Sequence, residues 1–225
     1  MVCLQGIKIS WMEANKIKIN TVIISIFVIA AIEIIIRLGI NRNLVAPLIG
    51  LGLARLVEII LLLMLVKISE RGFSAIGLSP TNVYTGFKKG LIWAVIFGVA
   101  AGLVLIIIYL LGINAPALFQ MQLPVESRNM FAFFLIGAFF APLAEEIFFR
   151  GILYGFFRRW GISAAIFLST LLFMLSHTSG HTLPITQLIG GILFAVSYEV
   201  EKNLLVPITI HSLGNLAIFT LAAII

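Results

Sequence analysis

The chain has 225 residues, of which 61% are hydrophobic and only 11% charged, and its mean hydropathy is +1.17. A soluble domain carries roughly 25% charged residues, so the composition excludes an ordinary water-soluble enzyme and points to the bilayer. The net charge of +6 does not imply nucleic acid, because the basic residues lie between apolar runs rather than on one soluble face.

A helix crossing ~30 Å of hydrocarbon needs about 20 mostly apolar residues. Residues 17–38 and 44–66 meet that requirement. A polar stretch, 67–89, reads as a loop around Ser79-Pro80-Thr81-Asn82, and a third span follows at 90–111. Pro116 and Pro124 mark a second loop, 112–128. The fourth apolar run starts near Met130, passes Pro142 and Glu145-Glu146, and reaches Arg158-Arg159. Segments 162–177, 183–198 and 204–225 complete the series. Neither an internal repeat nor a low-complexity tail interrupts it. The expected fold is all-α: a polytopic membrane helix bundle of about seven transmembrane helices, an eighth being the alternative. One integral membrane domain, 1–225, fills the chain. Its N-terminus lacks a short apolar core ending in a small-residue cleavage site, so no cleaved signal peptide is expected. The single cysteine, Cys3, excludes an internal disulfide.

Basic residues orient the spans. With the N-terminus cytoplasmic, that side holds Lys8, Lys16, Lys18, Lys67, Arg71, Lys88, Lys89, Arg150, Arg158, Arg159 and Lys202, eleven against Arg37, Arg42 and Arg128 opposite. The fifth and sixth segments are short for a full crossing. Their connection, from Thr178 to Thr182, is expected to sit below the membrane surface beside a polar cavity, since irregular backbone at that depth needs protein or water around it.

Ionisable groups within apolar spans are costly and mark functional sites. Here they gather on three segments. The fourth carries Glu145-Glu146-Ile147-Phe148-Phe149-Arg150, in which Glu146 and Arg150 share a helix face while Glu145 points elsewhere. The fifth ends in Phe173…His177, and the seventh carries His211…Asn215, each pair four residues apart. A positioned glutamate can take a proton from water, histidine can orient that water or protonate a leaving amine, and histidine with an amide can donate to an oxyanion. Pro142 is expected to kink the fourth span and free a backbone carbonyl. Glu33–Arg37 and Arg55–Glu58 read as structural pairs, each within one helix.

The ordered motifs EExxxR, FxxxH and HxxxN resemble the CAAX-protease and bacteriocin-processing family of intramembrane peptidases, also called the abortive-infection family. The resemblance covers about Met130 to Ala217 and makes 130–217 the catalytic core. It implies that Glu145 and His177 activate water and that His211 and Asn215 form the oxyanion site, with Glu146, Arg150 and Phe173 in support. It also implies eight helices, one more than the apolar runs give. Eukaryotic members trim prenylated CAAX proteins, and bacterial members are associated with peptide maturation and bacteriocin immunity. The expected activity is thus endopeptidase cleavage of a membrane-bound or hydrophobic peptide, with the lipid bilayer as surroundings, no nucleic acid and no metal.

Alternative readings follow from the same residues. A catalytically silent scaffold or immunity protein of the same fold would keep the helices without the chemistry. A proton-coupled transporter would use buried Glu and His as a relay, but it predicts an inverted repeat that the sequence lacks. Zinc would be held by Glu145, His177 and His211. His181, four residues after His177, could join them only if the helix continued through Gly180, and Gly180 with Pro184 argues against that.

Overall fold

The computed structural model describes residues 17–112, 123–178 and 184–224. Within them the chain forms helices α1 (Ile19–Asn41), α2 (Pro47–Ser69), α3 (Val83–Leu110), α4 (Ser127–Trp160), α5 (Ile162–Ser176), α6 (Ile185–Glu201) and α7 (Leu205–Ile224). No strand occurs among the described residues. Five helices, α1, α2, α4, α7 and α3 with its leading turn, are long and apolar enough to cross a membrane. The chain is an integral membrane protein. Cys3, Lys8, Lys16 and Pro116, and the connection carrying Gly180 and His181, lie outside the described residues.

Two boundaries differ from the hydropathy reading. The third helix begins at Val83 rather than at residue 90, after 3₁₀ turns at Phe73–Ile76 and Pro80–Asn82, and α2 runs on to Ser69. Hydropathy ends a span where charges appear, whereas a helix ends where its backbone is interrupted. Lys67 in the last turn of α2 also suits the negative end of the helix dipole. The assignment of Arg150 to the cytoplasmic tally is corrected as well. Arg150 is fully buried in an ion pair, which leaves ten basic residues against three.

Pairs α1–α2, α3–α7 and α5–α6 pack closely, and the inner half of α4 lies at the centre. Lipid competes with neighbouring helices for apolar surface, so close approach through small residues drives such packing. Gly90 of α3 illustrates it, because a Cβ there would stand 2.6 Å from Thr209 Cβ on α7. Around the inner half of α4, Ile147, Ile152, Tyr154, Tyr198, Val66, Ile76 and Leu204 are sealed from solvent.

Helix α4 is not uniform. Ordinary helix at Ser127–Leu135 and Ala141–Glu146 alternates with π-helical turns at Ile136–Phe140 and Ile147–Tyr154. Such wide turns are rare and concentrate at functional sites. The first ends two residues before Pro142, whose ring nitrogen has no hydrogen to donate to the preceding turn. In an i→i+5 ladder the carbonyl left without its donor is that of Gly137. Asn215 of α7 supplies a replacement, its amide nitrogen donating to Gly137 O at 2.9 Å.

Candidate active site

The site forms where the middle of α4 meets the end of α5, the body of α6 and the first half of α7. Glu146 is its structural hub. Arg150, one turn later, donates from Nη1 to Glu146 Oε1 at 2.9 Å, and His211 Nδ1 lies 2.8 Å from the same oxygen. Glu146 and Arg150 have no exposed side-chain surface. Burying an ion pair costs several kcal/mol per ion unless further partners compensate; several are present here, although Glu146 Oε2 and Arg150 Nε have none among the described residues. Arg150 Nη2 donates to the Gly191 carbonyl of α6 at 3.1 Å, and its guanidinium stands 4.5 Å from the Phe173 ring centroid and 5.2 Å from that of Phe194. Gly191 also lets α6 close on α5, because a Cβ there would stand 2.9 Å from Thr170 Cγ2.

The hydrogen bonds fix the histidine tautomers. His177 Nδ1 lies 2.8 Å from the Phe173 carbonyl, which can only accept, so Nδ1 carries the hydrogen. His211 Nδ1 faces a carboxylate already paired with Arg150 and is likewise the donor. Each imidazole, when neutral, therefore presents a bare Nε2. Both point at one atom: Glu145 Oε2 is 3.7 Å from His177 Nε2 and 3.8 Å from His211 Nε2. These separations exceed a direct hydrogen bond, and a water bridging the three atoms would fit them. Aromatic rings hold the geometry. Phe194 stacks on His211 at 4.5 Å, and Phe173 stands between the histidines, 4.6 Å from the ring of His177 and edge-on to that of His211 at 5.8 Å.

Glu145, His177 and His211 are thus brought together, with Glu146, Arg150 and Phe173 behind them. Asn215 lies one turn beyond His211, and one amide hydrogen is committed to Gly137. Among the described residues its other amide hydrogen has no partner and could serve another acceptor. Among the described residues, no three His, Cys, Asp or Glu side chains are disposed to hold a metal ion.

One expectation is corrected. Glu33 and Arg37 do not pair; Arg55 of α2 reaches across to Glu33 at 2.9 Å and also binds Glu58 on its own helix. A forked guanidinium can serve two carboxylates at once, and it draws Glu33 away from the next turn of α1. The sequence also did not reveal that these charges share a wall with Glu145. A cavity of about 590 Å³ is lined by Glu33, Arg37, Arg55 and Glu58 together with Glu145 and His177. Their presence inside apolar spans was the available signal. Phe194 was invisible in sequence, as one phenylalanine among 18.

The geometry defines a helical membrane protein with a carboxylate and two histidines converging between its helices. Residues 127–217, which carry all of these groups, match the family model described as Type II CAAX prenyl endopeptidase Rce1-like. That match agrees with the resemblance carried by the three motifs. No curated protein and no solved structure matches the chain.

Proposed function

We propose that the protein is an intramembrane endopeptidase that hydrolyses a peptide bond of a membrane-bound or hydrophobic peptide through glutamate-activated water. The observation that carries this reading is the convergence of Glu145 Oε2 with the two Nε2 atoms. Three polar atoms face one another there, a setting in which one water could be held and oriented.

In this reading Glu145 removes a proton as the water oxygen bonds to the scissile carbonyl carbon. The carbonyl oxygen becomes the oxyanion, which His211 in its imidazolium form meets with Nε2–H while Glu146 accepts from Nδ1–H. The remaining amide hydrogen of Asn215 is the second donor. Breakage of the C–N bond then sends a proton, held by Glu145 or His177, to the leaving nitrogen. Positioned acid–base groups contribute about 10²–10⁴-fold and an oxyanion donor about 10²–10³-fold.

The matched family comprises CAAX prenyl endopeptidases, which supports a lipid-associated peptide as substrate. We place the catalytic core at 130–217 within a single membrane domain, and the protein in a prokaryotic cell membrane with its N-terminus cytoplasmic. The test is proteolysis of a membrane-peptide library by purified wild-type and Glu145→Gln protein in parallel. Cleavage by the wild type alone supports the reading; equal products from both, or none from either, overturns it.

A further inference from the structure

We infer that the α1–α2 wall of the cavity is a subsite for a basic side chain, lysine or arginine, with Glu33 as the residue that receives its charge; that the side chain belongs to a bound peptide rests on the peptidase reading.

The wall stands beside the site. Lys18 meets Glu70 through its backbone nitrogen, and Arg159 Nη2 donates to the Ile17 carbonyl at 2.7 Å, so the start of α1 and the ends of α2 and α4 share one level of the bundle. Counted from that level at about 1.5 Å per residue, Glu33 and Arg55 stand about 21 Å along their helices and Glu145 about 22 Å along its own. Glu33, Arg55 and Glu58 line the same cavity of about 590 Å³ as Glu145 and His177. A peptide lying against Glu145 therefore has the charged wall alongside it.

Within the wall, carboxylate oxygens outnumber the donors that meet them. Arg55 gives Nη2 to Glu33 Oε1 at 2.9 Å and Nη1 to Glu58 Oε2, so one guanidinium serves two carboxylates. Glu33 Oε2 is left without a partner among the described residues, on a side chain 38% exposed. Glu58 Oε1 is also unpartnered, on a side chain only 2% exposed. A buried acceptor without a donor is costly, and what this one lacks is an N–H. Arg55 Nε, buried too, lacks an acceptor, a need that a peptide carbonyl can meet. Arg37, one turn beyond Glu33, is exposed and leaves Glu33 to Arg55. With Glu145, three carboxylates face two guanidiniums around the cavity, and the excess negative charge favours a cation.

The surroundings set the form of that cation. Ile29, Ala30 and Ile34 of α1 and Phe148 of α4 make the neighbouring lining apolar. Long basic side chains suit such a setting, because the aliphatic stem is buried while the charged head reaches its acceptors. A metal ion needs converging ligands, and among the described residues no three His, Cys, Asp or Glu side chains are so disposed. Glu33 and Glu58 also lie outside the matched residues 127–217, so selectivity at this wall is a property of the first two helices of this chain.

The test uses the full chain in one detergent and a fluorescent single-span peptide carrying lysine, norleucine or glutamate in turn at each position across its span. Binding is measured to Glu145→Gln protein and turnover with Glu145 intact. At one position lysine should bind about 10-fold or more tightly than norleucine, as a charged hydrogen bond allows, and raise kcat/KM by a similar factor through KM. Glutamate at that position should bind more weakly than norleucine. Adding Glu33→Gln, which leaves the Arg55–Glu58 pair in place, should abolish the preference, and Glu58→Gln should reduce it. Both peptides meet the same preparation, so partial unfolding cancels from their ratio. Absence of a lysine preference at every position, a preference for glutamate, or a lysine preference that persists in Glu33→Gln overturns the subsite. Cutting without lysine preference leaves the peptidase reading standing, whereas Glu33-dependent binding of lysine without Glu145-dependent cutting keeps the subsite and removes that reading.

Discussion

Replacing Glu146 by glutamine tests the division of labour between the two adjacent glutamates. Glu146→Gln keeps shape and volume but removes the carboxylate bonded to Arg150, whose side chain has no exposed surface. A glutamine carbonyl can still accept from His211 Nδ1, so the imidazole tautomer survives and the loss falls on Arg150. Removing one partner of a buried pair costs about 3–5 kcal/mol. At about 2–4 °C per kcal/mol for a chain of this length, the midpoint should fall by about 6–20 °C. Arg150→Gln should resemble it, and the double variant should be less unstable than the two losses added, because neither charge is then stranded. Glu145→Gln has no buried ion pair to break. It should keep its midpoint while turnover falls by about 10²–10⁴-fold. The assay is thermal unfolding and turnover of all four variants in one detergent. A stable, inactive Glu146→Gln beside an unfolded Glu145→Gln would reverse the assignment and make Glu146 the base.

Asn215→Ala should destabilise by about 1–3 kcal/mol through the stranded Gly137 carbonyl, and it should also slow turnover. Adding Pro142→Ala, which restores a backbone N–H for that carbonyl, should return the midpoint and not the rate; recovery of both would make Asn215 purely structural. Phe194→Leu removes the ring stacked on His211 at a cost of less than about 1.5 kcal/mol, so it should remain folded. Its turnover should drop by up to about 10²-fold as the imidazole loses its position, and an unchanged rate would exclude a positioning role. Activity should survive strong chelation, with His181→Ala keeping much of the wild-type rate. Stoichiometric zinc lost with activity, and restoring it on return, would reassign Glu145, His177 and His211 as ligands. Reporter fusions should place Thr81, Arg158 and Lys202 in the cytoplasm and Asn41 and Arg128 outside; Arg158 and Arg128 on one side would refute that topology.

Apolar run length made the helices legible, and within helices so did four-residue spacing. Glu146 and Arg150 could be paired on paper because both lie on one element, where 3.6 residues per turn leaves little choice. The same rule misled at Glu33. Its spacing to Arg37 is equally good, but a neighbouring helix brought a better partner, and no local periodicity reports which helices touch. Pro142 signalled an orphaned carbonyl, yet the donor came from Asn215, 73 positions later in the numbering. The convergence of His177 and His211 on one oxygen was legible only as three polar groups facing inward. Their tautomers depend on Nδ1 partners that the tertiary structure supplies.

The wide turns of α4 also separate what its parts are free to change. In a regular helix every side chain's direction is tied to every other at about 100° per residue, so re-aiming one end re-aims the whole. A π-helical turn holds an extra residue, and removing it lets the chain close into ordinary helix. Loss of one residue within Ile136–Phe140 would accordingly swing Ser127–Leu135 round the axis and leave Ala141–Glu146 facing its partners. The same loss within Ala141–Glu146 has no slack to draw on and would turn a carboxylate out of the site. Length variation in this helix should therefore be tolerated on the outer side of Pro142 and lethal between Pro142 and Glu146, so that the rim of the cavity can be remodelled while the groups beneath it keep their aim.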